Sequence, residues 1–122
     1  MIPESITVIY NDHVPLAPRL GQTGLRVTAS STPSVPAVLP GVPGDILSVA
    51  NTGAYDIHFR MCKEGETLVR AANTDTIVWA GRDLLFLVPS ADKLRPAARC
   101  AISVICPEGA GDVVFTTYER GT

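Results

Sequence analysis

The amino-acid sequence predicts an all-β fold: an antiparallel β-sandwich or jelly-roll-like barrel with an extended N-terminal arm. Three observations carry that expectation. Gly and Pro number ten each in 122 residues, so backbone breakers punctuate the chain at short intervals. No long stretch keeps helical apolar spacing without meeting a β-branched run, a Gly or a Pro. Strict alternation recurs instead, most clearly in Tyr55-Asp56-Ile57-His58-Phe59-Arg60-Met61, where odd positions are apolar and even ones polar. That pattern predicts a half-buried strand with Tyr55, Ile57, Phe59 and Met61 facing the core.

The elements follow in order. Residues 1–23 carry Pro3, Pro15 and Pro18 with apolar residues between them. Residues 5–10 are rich in β-formers, and the stretch from Tyr10 to Gly24 has no periodicity. A Pro-fixed, extended backbone lacks internal partners and lies along another surface. Its apolar residues Ile2, Ile6, Val8, Tyr10, Val14, Leu16 and Leu20 are therefore candidate protein-interface residues, covered either by the domain's own sheet or by a partner. Residues 1–23 are read as this extended segment and 24–122 as the β-sandwich domain.

Within that domain, residues 25–29 form a strand, and 35–39 form one confined to a sheet edge by Pro36. Residues 45–50 form another, ended by the turn Asn51-Thr52-Gly53, where glycine supplies a positive φ. The strand of 55–61 ends in the charged tip Lys63-Glu64-Gly65-Glu66. Residues 74–79 and 84–88 pair around Ala80-Gly81-Arg82-Asp83, and 98–105 pair with 112–118 around residues 107–111. About eight short strands at regular spacing indicate a sandwich or barrel.

Length and charge bound the function. A chain of 122 residues makes one domain, burying about 65–70% of its unfolded surface, enough for a core without metals or disulfides. The residues are 46% hydrophobic and 18% charged, as in a globular protein rather than a disordered one. Ten Lys and Arg against twelve Asp and Glu give a net charge of −2, so no basic excess neutralises phosphates and nucleic acid is not an expected partner. The longest apolar run, Leu84 to Val88, is far below the ~20 residues that span a bilayer, so no membrane partner is expected. Glu4 and the absence of an apolar stretch after it argue against a signal peptide.

No catalytic constellation emerges. Cys62, Cys100 and Cys106 are odd in number and form no CxxC pair, so three reduced thiols are expected rather than a disulfide framework or a zinc site. His13 lies in the Pro-rich segment and His58 on the polar face of the best strand; no G-x-S-x-G elbow accompanies either. His58 and Cys62 read as a solvated strand histidine and a turn cysteine, not as a thiolate pair. The carboxylates are scattered, and most of the few aromatics alternate as core residues do; a glycosidase pair needs two carboxyls in an aromatic-walled cleft. Trp79, at the end of an apolar strand, reads as core, with a contact surface as the alternative. Gly109-Ala110-Gly111-Asp112 precedes a strand, not a helix, and so lacks the helix N-terminus that binds phosphate. No cofactor, metal or enzyme activity is expected.

The run Gly44-Asp45-Ile46-Leu47-Ser48-Val49-Ala50-Asn51-Thr52-Gly53-Ala54, followed by Ile57-His58-Phe59-Arg60, resembles small all-β virion proteins of tailed bacteriophages, encoded beside the capsid genes. Leu25 to Ser31, the Ala80-Gly81 turn, the Ala101-Ile102 strand and the Gly109–Thr117 turn and strand extend the resemblance over residues 24–121. Lys63 to Glu66 and the cysteines depart from the pattern. The resemblance implies a decoration or cement protein that binds the major capsid protein on the capsid exterior of the virion, as a dimer or trimer, after synthesis in the host cytoplasm. Symmetric lattices need many identical contacts rather than one deep pocket. The alternatives are a head–tail adaptor or tail attachment module, a carbohydrate- or receptor-binding sandwich, for which the aromatics look too few, and a small hydrolase.

Overall fold

Period-two alternation organises the chain into two antiparallel sheets, and no helix occurs among the described residues. The computed structural model describes residues 16–18, 24–90, 92, 94, 95 and 98–120. The strands are β1 (Leu16–Pro18), β2 (Leu25–Ala29), β3 (Ala37–Val38), β4 (Ile46–Asn51), β5 (Ile57–Lys63), β6 (Thr76–Val78), β7 (Asp83–Leu87), β8 (Cys100–Ile105) and β9 (Gly111–Arg120). One sheet runs β1-β9-β4-β7, with β2 beside β1 on the same edge of the long β9; the other runs β3-β8-β5-β6. The expected interface residue Leu16 lies in β1, opposite Arg120. Ile2, Ile6, Val8, Tyr10, Val14 and Leu20, His13 and the expected strand at 5–10 lie outside the described residues.

The two sheets share one core. Leu47, Val49, Val113, Phe115 and Ala29 face it from the first sheet, and Ile57, Phe59, Val78, Ile102 and Val104 from the second. The register aligns these rows: Val49 sits opposite both Leu84 and Phe115, and Phe59 opposite Val104. Phe59 and Phe86, one from each sheet, meet as tilted rings with centroids 5.6 Å apart, a geometry worth about 0.5–1.5 kcal/mol beyond area burial. Alternation in β5 is as the sequence predicts: Ile57 and Phe59 are buried, Arg60 is exposed.

The pairing of consecutive strands is not as expected. Residues 74–79 and 84–88 do not form a hairpin, because β6 joins β5 while β7 joins β4 in the opposite sheet. Likewise β8 and β9 lie in different sheets. Alternation reports which side of a strand faces inward; it does not report which sheet the strand enters. The segments around Gly81 and Gly109 are therefore crossings between layers. Among the described strands β5 and β6 are the only pair consecutive in sequence that hydrogen-bond to each other.

Other corrections concern single residues. Gly53 is not in the positive-φ region, which among the described glycines holds Gly41, Gly44, Gly65 and Gly81. Glycine is needed at 53 for space: a Cβ there would lie 3.1 Å from the Gly111 Cα. Tyr55 precedes β5 rather than belonging to it, so its side chain escapes the alternation and is exposed, and Trp79 is also exposed, not in the core. Cys62 lies inside β5 rather than in a turn.

The connection between β5 and β6 covers the outer face of β8. Ser103 is fully buried there; its hydroxyl accepts the Ala71 N–H at 2.9 Å and donates to the Ser34 carbonyl at 2.7 Å. The Ser34 hydroxyl in turn accepts the Val104 N–H. One strand residue thus pins two long connections.

Candidate functional site

Two surfaces stand out, and the first begins at a sheet edge. Among the described residues β7 ends its sheet and β6 ends the other, so the two short strands flank a seam between the layers. In β7 four apolar residues follow one another, Leu84-Leu85-Phe86-Leu87. The Asn51 N–H donates to the Arg82 carbonyl and the Val88 N–H to the Asp45 carbonyl. Bonding alternates along an antiparallel pair, so the backbone groups of Asp83, Leu85 and Leu87 face away from β4. The seam holds a groove of about 430 Å³ with Phe59, Met61, Phe86 and Pro89 in its lining and Leu87, half exposed, at its rim. A natural edge is usually blunted by lysine, proline or a bulge; β7 carries neither Lys nor Pro within its five residues.

The polar wall of the groove is the Arg60–Asp75 pair. Arg60 holds both carboxylate oxygens of Asp75, each at 3.0 Å, and the Ala72 N–H donates to the same carboxylate at 2.7 Å. Burial pushes the Asp75 carboxyl up, but these hydrogen bonds and the charges of Arg60 and His58 outweigh it and hold the group below the usual carboxylate range.

The second surface is the end of the molecule where the connections 52–56, 79–82 and 106–110 meet. Asn51, buried at the tip of β4, ties them together. Its amide donates to the carbonyls of Tyr55 and Val78, at 2.8 and 2.9 Å, and its side-chain oxygen accepts the Gly53 N–H. The Thr52 N–H and hydroxyl both donate to the Asp112 carbonyl. Asp56 accepts the Ala80 N–H at 3.0 Å, joining the first connection to the second. The Tyr55 ring packs against Gly109, where a Cβ would come within 2.6 Å of it. This scaffold presents Trp79, 54% exposed, and Tyr55, 44% exposed. Trp79, Ala80, Asp56 and Arg82 line a concavity of about 450 Å³; a smaller one beside it, about 260 Å³, is lined by Asp56, His58, Asn73, Pro107 and Glu108.

The nucleophile candidates are not brought together. His58 and Cys62 share the outer face of β5 but are four residues apart, about 13 Å along a strand, with Arg60 between them. His58 Nδ1 lies 3.0 Å from the Asp75 carbonyl, an acceptor that fixes the proton on that nitrogen. The three cysteines are free thiols. Burial first of all raises the pKa of each, and at Cys62 the charge of Glu66 adds to it, so none is an activated thiolate. Among the described residues no group of three or more His, Cys, Asp or Glu side chains is arranged to hold a metal ion.

Sequence reasoning missed the edge groove, and at the loop end it offered a Trp79 contact surface only as the alternative to a core residue. The signal for the edge groove was present in the unbroken apolar run of 84–88, which suits a strand that packs on both faces. The signal for the loop end was the position of Tyr55 and Trp79 just outside their strands, beside Asp56 and Ala80. No protein-family model matches the chain, and no curated protein or solved structure matches it either.

Proposed function

We propose that this chain is a non-enzymatic virion structural protein that binds the major capsid protein on the particle exterior and stabilises the shell. The observation that carries the reading is the β7 edge, unpaired among the described residues, beside its apolar groove. An extended segment of a partner gains backbone hydrogen bonds along such an edge and places alternate side chains in the groove. That is a protein-binding surface, and it is independent of any catalytic group.

The strand order supports the finer fold reading, a β-sandwich of jelly-roll type. From β2 onward the chain crosses between the layers at every step but β5 to β6, giving β2-β9-β4-β7 over β3-β8-β5-β6, the order obtained by wrapping two Greek keys into a roll. That architecture recurs in viral capsid domains and in lectins. Fold alone does not assign function; the capsid assignment rests on the sequence resemblance over residues 24–121. In this reading residues 1–23 are an arm that extends the contact, β1 is its anchorage on the β9 edge, and the protein acts as a dimer or trimer. Neither nucleic acid nor membrane takes part.

The test is co-sedimentation of the purified chain with capsids built from the major capsid protein encoded beside it. The wild-type chain pellets saturably with the capsids. Leu87→Asp, which places a charge at the groove's exposed rim, weakens binding at least about tenfold, equivalent to about 1.4 kcal/mol, without unfolding the domain. Unchanged binding by this variant removes the groove from the contact, and no binding by the wild-type chain overturns the capsid assignment.

A further inference from the structure

We infer that the loop end bearing Trp79 is a binding site for a neutral saccharide, a role separate from capsid attachment through β7. The connection 79–82 is a tight turn: the Arg82 N–H donates to the Trp79 carbonyl at 3.0 Å, and Gly81 holds φ at 71°. Such a turn fixes its own backbone, and the Asp56–Ala80 bond fixes it to the neighbouring connection. Trp79 is thus a large apolar ring held outward on a rigid support. It is 54% exposed, where a tryptophan is highly buried on average.

The polar groups around it are in binding order. The Asp56 carboxylate uses one oxygen on Ala80 and has no other hydrogen-bond partner among the described residues. The Arg82 guanidinium and the Trp79 indole N–H make no side-chain hydrogen bond there. A concavity of about 450 Å³ lies between them, within the range of about 300–1,000 Å³ that small ligands occupy. An aromatic face, negative at its centre, attracts the polarised C–H bonds on one side of a sugar ring. A carboxylate acceptor and a guanidinium fork beside it match adjacent hydroxyl groups with charge-assisted hydrogen bonds. Asp56 and, in the adjoining hollow, Glu108 outnumber Arg82. The local charge therefore repels phosphates and sialic acids and selects an uncharged glycan.

The chain carries a single tryptophan, so its fluorescence reports on this site alone. The full chain is titrated with cellohexaose, maltohexaose and mannohexaose and spread on an array of neutral and sialylated glycans. The site predicts saturable quenching or a blue shift with at least one neutral glycan, with Kd below about 10 mM. By calorimetry, Trp79→Ala and Arg82→Ala each weaken that binding at least tenfold, whereas Trp79→Phe keeps most of it. Both residues are exposed, and circular dichroism verifies that the variants fold. No saturable response to any neutral glycan, binding unchanged in Trp79→Ala, or binding of sialylated glycans alone overturns the inference. Leu87→Asp leaves sugar binding intact, so failure here and failure of the capsid reading are read in separate assays.

Discussion

Asn51 is the residue on which most of the loop end depends. Its buried amide makes three hydrogen bonds, to Tyr55, Val78 and Gly53, from a strand tip at 2% exposure. At about 0.5–1.5 kcal/mol each, their loss in Asn51→Ala costs about 2–4 kcal/mol. Asn51→Asp costs at least as much, since it turns an oxygen toward two carbonyls; urea denaturation of the two variants measures both. Asp75 sets a pH dependence. Its folded pKa is depressed, so its contribution is present above the unfolded value of about 3.9 and is lost as pH falls through the lower folded value. The stability gap between wild type and Asp75→Asn should therefore be open at pH 7 and close below about pH 4. A gap that stays constant across acid titration contradicts the ion pair as its source. At this scale the sequence was legible where a residue sits inside an alternating strand: Ile57, Phe59 and Arg60 all face as their parity dictates. It was misleading at Tyr55, two residues before β5, because parity ends where hydrogen-bonded pairing ends; Trp79 keeps the parity of β6, whose buried Val78 turns the next side chain outward.

At the scale of elements, the strands themselves were legible and their partners were not. Residues 25–29 become β2 without a shift, and the Pro36 segment becomes the two-residue β3 at a sheet edge. The 79–82 and 106–110 connections read as hairpins because their turn residues and lengths suit either a hairpin or a short crossing between two layers. What decides between them is the inter-layer core, a property of contacts distant in sequence. Phe59 and Phe86 illustrate it: 27 residues apart, on strands of different sheets, they close the seam behind the groove. Phe59→Ala should lower stability by about 3–5 kcal/mol, as a large truncation in a packed core, measurable by thermal or urea unfolding. A loss under about 1 kcal/mol would place the ring outside the core. The β7 edge has the opposite character. Its apolar run is unbroken, yet Leu87 is half exposed, on the strand that ends its sheet among the described residues.

The whole molecule joins these parts into a two-sheet domain with candidate binding surfaces at two places, an edge and an end. The edge offers backbone unpaired among the described residues and an apolar groove; the end offers exposed aromatic rings on a hydrogen-bonded scaffold. A particle-surface protein uses such a division of labour, holding the shell with one surface and leaving another outward. The capsid assignment itself came from a pattern of residues, Asn51-Thr52-Gly53 and its flanking strands, and the structure supplies a physical role for that triplet without naming a partner. The most direct measurement is the copy number of this chain in purified phage particles, read from a stained gel or quantitative mass spectrometry against the major capsid protein. The account predicts on the order of hundreds of copies per particle, in fixed ratio to the capsid subunit, as repeated lattice contacts require. A dozen copies or fewer would move the protein to the head–tail junction or tail, and its absence from particles would contradict the account.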